Sequence, residues 1–137
     1  MPSTTTYKRG SVVVVEIAFS NLSGSKRRPA LVVSDERFHK TLPDLIVCPI
    51  SSQPRFYRRP GPGDCPVKDW RAAGLRRPST VRVSKLLAID KGVIRKTLGV
   101  LRSHDLTGVE KDIQEAFGLS SDSRRRQGPA IPPADPA

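Results

Sequence analysis

The sequence predicts a mainly β domain: a small, highly curved sheet finished by one C-terminal helix. Three observations carry this. Short β-branched runs recur along the chain, loops join most of them, and an amphipathic helical stripe appears only near the end. At 137 residues the chain suits one domain with a modest core.

Val12-Val13-Val14-Val15 leads into Glu16-Ile17-Ala18-Phe19, a run that predicts a strand covered on both faces. Ser20 to Arg27 reads as a polar, glycine-containing loop. Pro29 to Val33 is the second strand and Leu45 to Ile50 the third, with a single helical turn over Asp35 to Lys40 between them. From Ser52 to Pro78 the pattern dissolves under Pro54, Pro60, Gly61, Pro62, Gly63 and Pro66, which predicts a long functional or mobile loop. Ser79 to Leu87 alternates again, Val81 and Val83 against Arg82 and Ser84, as a half-exposed strand does, and Lys96 to Leu101 forms one more. Ser103 is placed to cap a helix, with Asp105 in its first turn. Leu106, Val109, Ile113 and Phe117 follow at helical spacing to about Leu119, a stripe that reads as core packing rather than a cofactor site. The folded domain is therefore expected over residues 8–119. Residues 1–7 are expected to be a flexible N-terminus, and the Ser/Arg then Pro/Ala stretch at 120–137 a disordered tail with too few apolar residues to fold.

Twenty-four Lys and Arg against thirteen Asp and Glu give a net charge of +11. The excess is concentrated: between Ser52 and Arg102 thirteen basic residues face only Asp64, Asp69 and Asp90. Such a patch attracts a polyanion, because each neutralised phosphate releases condensed counterions. Arg exceeds Lys, which suits forked phosphate contacts. A solvated basic face is the plainer alternative. Membrane binding is disfavoured: no apolar run approaches the roughly 20 residues of a span, and no basic amphipathic helix is present. Without a hydrophobic signal core, the expected compartment is the cytoplasm.

Several chemistries lack their motifs. There is no Walker loop, no GxGxxG and no paired-carboxylate motif. Cys48 and Cys65, with only His39 and His104 as nitrogen donors and no CxxC or HxxxH spacing, predict no metal site and no cofactor. The two histidines could form an acid–base pair, but each also has a local explanation, in a polar turn and at a helix start. RNA brings its own nucleophile, the 2′-hydroxyl. Attack on the adjacent phosphorus then needs a group that stabilises a crowded, highly charged phosphorane, and a guanidinium beside a hydroxyl supplies it. Arg28 before the second strand and Ser51 after the third meet that requirement if the strands run antiparallel, although an Arg in that position is also an ordinary surface charge.

Lys8-Arg9-Gly10, the block Gly24 to Ser34, Asp44 to Val47 with Pro49-Ile50-Ser51-Ser52-Gln53, and Pro78 to Leu86 together resemble the MazF/PemK toxin family, in its order and spacing. The resemblance covers about Lys8 to Leu119. It implies an SH3-like β-barrel of the CcdB/MazF type, a homodimer, and metal-independent, sequence-specific cleavage of single-stranded RNA, leaving 2′,3′-cyclic phosphate and 5′-hydroxyl ends. It also implies an acidic antitoxin protein as partner. The family's catalytic Arg falls on Arg28 and its Thr/Ser on Ser51; charge stabilisation is the assigned role of Arg28, since a guanidinium hardly releases its proton. Residues expected to contact RNA are Lys26, Arg27, Ser52, Gln53, Arg55, Phe56, Tyr57, Arg58, Arg59 and Arg82, with Phe56 and Tyr57 either stacking bases or anchoring their loop. Three features depart from the family pattern: Ser11 follows Arg-Gly in place of Asp, Ser51 replaces Thr, and the loop from Pro54 to Leu75 is longer than in the shortest members. Two other functions stay open: a gyrase-poisoning toxin of the same fold, and an RNA-binding module without catalysis.

Overall fold

The computed structural model describes residues 7–18 and 24–119. Most of the expected flexible N-terminus (1–6), the start of the first polar loop (20–23) and the expected disordered tail (120–137) lie outside the described residues. The described chain runs β1 (Ser11–Ala18), β2 (Ser25–Val32), α1 (Glu36–Thr41), β3 (Asp44–Ser51), α2 (Pro54–Arg58), β4 (Asp64–Pro66), β5 (Thr80–Arg82), β6 (Leu87–Asp90), β7 (Ile94–Val100) and α3 (Ser103–Ala116).

The strands form one antiparallel sheet in the order β4-β5-β3-β2-β1-β7, with β6 pairing β3 off that path. β3 changes partner along its length. Asp44–Val47 meets β6, and Ile50–Ser51 meets β5. The fold is thus mainly β with a C-terminal helix, as expected, but no ladder among the described residues joins β4 to β7, so the barrel is not closed by pairing.

Strand alternation divides the apolar side chains between two faces. Val12, Leu31, Cys48 and Ile50 pack with Val81 and Val109 on one; Val13, Val15, Ala30, Val32, Leu45, Val47 and Ile94 pack on the other. This accounts for the unbroken valine run in β1, which has a covered face on each side.

Five sequence expectations need correction. β2 begins at Ser25, inside the stretch read as loop, because Ser25 to Arg28 continue the ladder opposite Ala18 to Val15. The Ser52–Pro78 stretch contains α2, started by Pro54 in the first turn, and the short strand β4. The strand expected over 79–87 is interrupted by a 3-10 turn at Val83–Lys85. Ser103 lies inside α3 rather than capping it, and Phe117, the last residue of the predicted core stripe, is 60% exposed. Gly118 adopts φ +68 immediately after it, ending the helix before that side chain can reach the core.

Candidate nucleic-acid interface and active site

β2 and β3 pair with Ala30 opposite Pro49 and Leu31 opposite Cys48. Continued by two residues, the same register sets Arg28 opposite Ser51. Arg28 is exposed, and its guanidinium has no hydrogen-bond or ion-pair partner among the described residues. Ser51 is half-buried and pairs on its other side with Thr80 of β5. Its Oγ accepts a hydrogen bond from the Gln53 backbone N–H at 3.2 Å, which orients the oxygen and leaves the hydroxyl proton available.

Alternation sends the neighbours of this pair to the opposite face. Arg27 and Ser52 line a cleft of about 450 Å³ with an apolar floor of Val14, Pro29, Leu75 and Leu98, while Arg28 borders a narrow apolar recess with Ala30 and Pro49. Glu16, opposite Arg27 in the β1–β2 ladder, accepts from Arg27 Nε at 3.2 Å and Arg95 Nε at 3.3 Å. Arg95 first and Arg27 second hold the Glu16 carboxyl below its ordinary value. Lys26 is exposed one residue earlier on β2.

A second cleft of about 490 Å³ adjoins the first, with Ser52 and Arg77 in both walls. Its other sides are Pro54, Tyr57, Arg58 and Pro78. The Tyr57 hydroxyl donates to the Val67 carbonyl at 3.4 Å, so this ring is tied to the body of the domain. Phe56 is half-buried, with the Arg82 guanidinium 3.7 Å and that of Arg55 4.7 Å from its ring centre. Arg82 also donates to Asp64 Oδ1 at 2.9 Å, and Asp64 Oδ2 accepts from the Gly61 N–H at 3.0 Å. Phe56 and Arg82 therefore hold the loop in shape, whereas Arg55, Arg58 and Arg59 remain exposed along α2 and its end, and Gln53 is exposed just before it.

Arg76, Arg77 and Lys96 also border the first cleft, and sequence reasoning left them in the general basic count. Their signal was Ala73-Gly74 together with Gly99. A Cβ on Gly74, which has φ +84, would sit 2.3 Å from the Leu98 carbonyl oxygen, and one on Gly99 would sit 2.7 Å from that of Ala73. Both glycines let the 73–75 turn press against β7, and this close approach fixes the wall that carries Arg76 and Arg77.

The remaining chemistry-bearing groups are engaged elsewhere. His39 is buried, with Nε2 2.5 Å from Ser34 Oγ and Nδ1 2.8 Å from the Tyr7 carbonyl oxygen. His104 Nε2 lies 3.0 Å from Asp69 and 3.6 Å from Asp105, so the two histidines belong to separate polar groups and do not meet as an acid–base pair. Asp69, His104 and Asp105 could hold a cation, their donor atoms all lying within 4.8 Å. The arrangement is already satisfied as a hydrogen-bonded network, because Asp105 accepts the Lys68 and Asp69 N–H groups at 2.9 Å each. Burial raises the Cys48 thiol to about 12 and the Cys65 thiol to about 11.

Residues 8–117 match the family model for the PemK-like, MazF-like toxin of type II toxin–antitoxin systems. Among solved structures, the chain is similar to a MazE–MazF assembly from Deinococcus radiodurans at 20% identity and a TM-score of 0.69, covering 85% of this chain and 100% of that one. It also resembles an endoribonuclease solved with its cognate antitoxin from a mycobacterial species (15% identity, TM-score 0.67, covering 83% and 97%). A third likeness is to the Mycobacterium tuberculosis toxin MazF-mt6 (22% identity, TM-score 0.61, covering 79% and 98%). At these identities the structural matches establish a shared fold. No functionally curated sequence matches the chain.

Proposed function

Because the chain belongs to the PemK-like, MazF-like toxins of type II toxin–antitoxin systems, we propose that it is an endoribonuclease that cuts single-stranded RNA at specific sequences without a metal. The observation that supports this reading is the β2–β3 register, which if carried two residues beyond its last pair, Ala30 with Pro49, sets Arg28 across from Ser51, an exposed unpaired guanidinium and a half-buried hydroxyl.

In this reaction the 2′-oxygen attacks the adjacent phosphorus, a new P–O2′ bond forms and the P–O5′ bond breaks. The 2′ proton is lost to solvent and the departing 5′ oxygen gains one, leaving a 2′,3′-cyclic phosphate and a 5′-hydroxyl. Arg28 offers a permanent charge and a planar fork of donors to the phosphorane oxygens. Ser51 donates its hydroxyl proton to one of them, its oxygen held by the Gln53 N–H. Lys26, Arg27, Ser52, Gln53, Arg55, Arg58 and Arg59 guide the strand, with Tyr57 in the wall of the second cleft. Phe56 and Arg82 serve by keeping that loop folded.

The toxin acts as a homodimer and is silenced by an acidic antitoxin segment laid across the same cations. Solved MazE–MazF assemblies of similar fold support this partnership. Among the described residues no helix is long and apolar enough to cross a membrane, and the reading places the protein in the cytoplasm.

The test is incubation with a long single-stranded RNA in EDTA, followed by mapping of fragment ends. Cyclic phosphate at one end and 5′-hydroxyl at the other, with cutting abolished by a 2′-deoxy substitution at the cut site, is the expected result. Intact RNA alongside tight, salt-sensitive binding would instead identify a module without catalysis.

A further inference from the structure

Two nucleotide-sized clefts share a wall. The first, about 450 Å³, has an apolar floor; the second, about 490 Å³, carries Tyr57 between Pro54 and Pro78. Both volumes fall in the roughly 300–1,000 Å³ range of sites that enclose a small organic group. Only Ser52 and Arg77 belong to both walls. We infer that the clefts are adjacent nucleotide subsites, each taking one base of a single strand, and that Arg77 in the dividing wall holds the phosphate that links them. This rests on RNA being the ligand of the basic face, and it names where two neighbouring bases are read.

The chemistry of each cleft fits one half of a nucleotide. An apolar floor accepts the face of a base, and an aromatic flanked by prolines offers a stacking platform that tolerates every base. Cations stand at the rims, where phosphates run: Arg27, Arg76 and Lys96 on the first cleft, Arg58 on the second, Arg77 on both. The Arg77 guanidinium has no hydrogen-bond or ion-pair partner among the described residues, so its fork is available, whereas Arg27 shares Glu16 with Arg95. The wall is also held in place. Gly74 and Gly99 bring the preceding turn into contact with β7, and Ser79 Oγ donates to the Arg77 carbonyl at 2.8 Å. A guanidinium on such a support loses less entropy on binding than one on a free loop.

The discriminating experiment measures binding of a pool of short single-stranded RNAs carrying 2′-fluoro in place of every 2′-hydroxyl, which cannot be cut by 2′ attack. Wild type is compared with Arg77→Ala, Arg77→Lys and the control Lys111→Ala on the exposed side of α3. Arg77→Ala is expected to weaken binding about tenfold, Arg77→Lys to recover only part of it, and Lys111→Ala to stay within about twofold. On cleavable RNA, Arg77→Ala should relax base preference at two adjacent positions and raise KM while kcat changes little. Unchanged melting temperature shows that the variant is folded, as expected for an exposed side chain. Arg77→Ala binding as tightly as wild type, or losing no more than Lys111→Ala, overturns the inference. Wild type that leaves RNA uncut refutes the ribonuclease reading, and the binding comparison still decides the subsites on its own.

Discussion

Asp105, in the first turn of the closing helix, accepts the backbone N–H of Lys68, thirty-seven residues earlier, at 2.9 Å. Its second oxygen accepts the N–H of Asp69 at the same distance, and the residue is 5% exposed. The carboxylate therefore fastens the long inserted loop to α3 instead of capping its own helix.

Asp105→Ala leaves two main-chain donors without acceptors in a half-dry setting. A loss of about 2–4 kcal/mol in folding stability is expected, read from the urea midpoint at constant m. Asp105→Asn keeps one acceptor and should lose roughly half as much. A midpoint that does not move in either variant would show that these hydrogen bonds contribute nothing.

Gly74→Ala tests the wall of the clefts. The new methyl would lie 2.3 Å from the Leu98 carbonyl oxygen on a backbone already at φ +84, so the 73–75 turn has to move. A stability loss of more than about 1 kcal/mol is expected, together with weaker RNA binding. Gly61→Ala in the same insert is the control. Its Cβ meets only the end of the Asp64 side chain, at 3.6 Å, and stability should change little.

Glu16 pairs with Arg95 and with the cleft residue Arg27, and its carboxyl is held below the ordinary 4.5 by Arg95 and then Arg27. A depressed carboxylate contributes stability above its unfolded value and loses it as pH falls through the folded one, here below 4.5. Within reach of solvent, it affects charge more than stability. Glu16→Gln should tighten single-stranded RNA binding several-fold at low salt and steepen the salt slope. Binding that is unchanged or weaker would contradict a role for Arg27 at the RNA surface.

Both thiols are neutral at ordinary pH, raised to about 12 for buried Cys48 and about 11 for half-buried Cys65. Iodoacetamide at pH 8 should label neither at an appreciable rate in the folded protein, and both rapidly in urea. The thiols' own contribution to stability is present below about 9 and is lost as pH climbs through the raised values. Rapid labelling of folded protein at pH 8 would show the burial to be wrong.

The parts of the fold legible in the sequence were those where one local rule acted alone. The Val12 to Val15 run gave β1, and the spacing of Leu106, Val109 and Ile113 gave the buried side of α3. The turn expected over Asp35 to Lys40 is α1, where Asp35 is the N-cap and its side-chain oxygen accepts the Arg37 N–H. The misreadings came where partners distant in sequence decide. Ser25 to Arg27 look like loop until Glu16, Ile17 and Ala18 lie opposite them. Asp105 looks like a first-turn acid until the loop supplies two donors. For the candidate site, Arg28 and Ser51 were singled out because both stand at ends of the expected strands and fall on the catalytic positions of the family the sequence resembles. Arg76, Arg77 and Lys96 were only part of a charge count, since no spacing rule brings residues 76–77 beside β7; the Gly74–Leu98 contact does.

The most direct test of the whole account is the single-turnover rate of RNA cleavage by Arg28→Ala and Ser51→Ala beside wild type, in EDTA and with folding checked by melting temperature. Removing one charged transition-state donor should slow cutting about 100-fold or more for Arg28→Ala. Ser51→Ala should fall in the same direction, with Ser51→Thr recovering most of the rate. Wild-type cutting by Arg28→Ala would contradict the assignment of this guanidinium to the scissile phosphate.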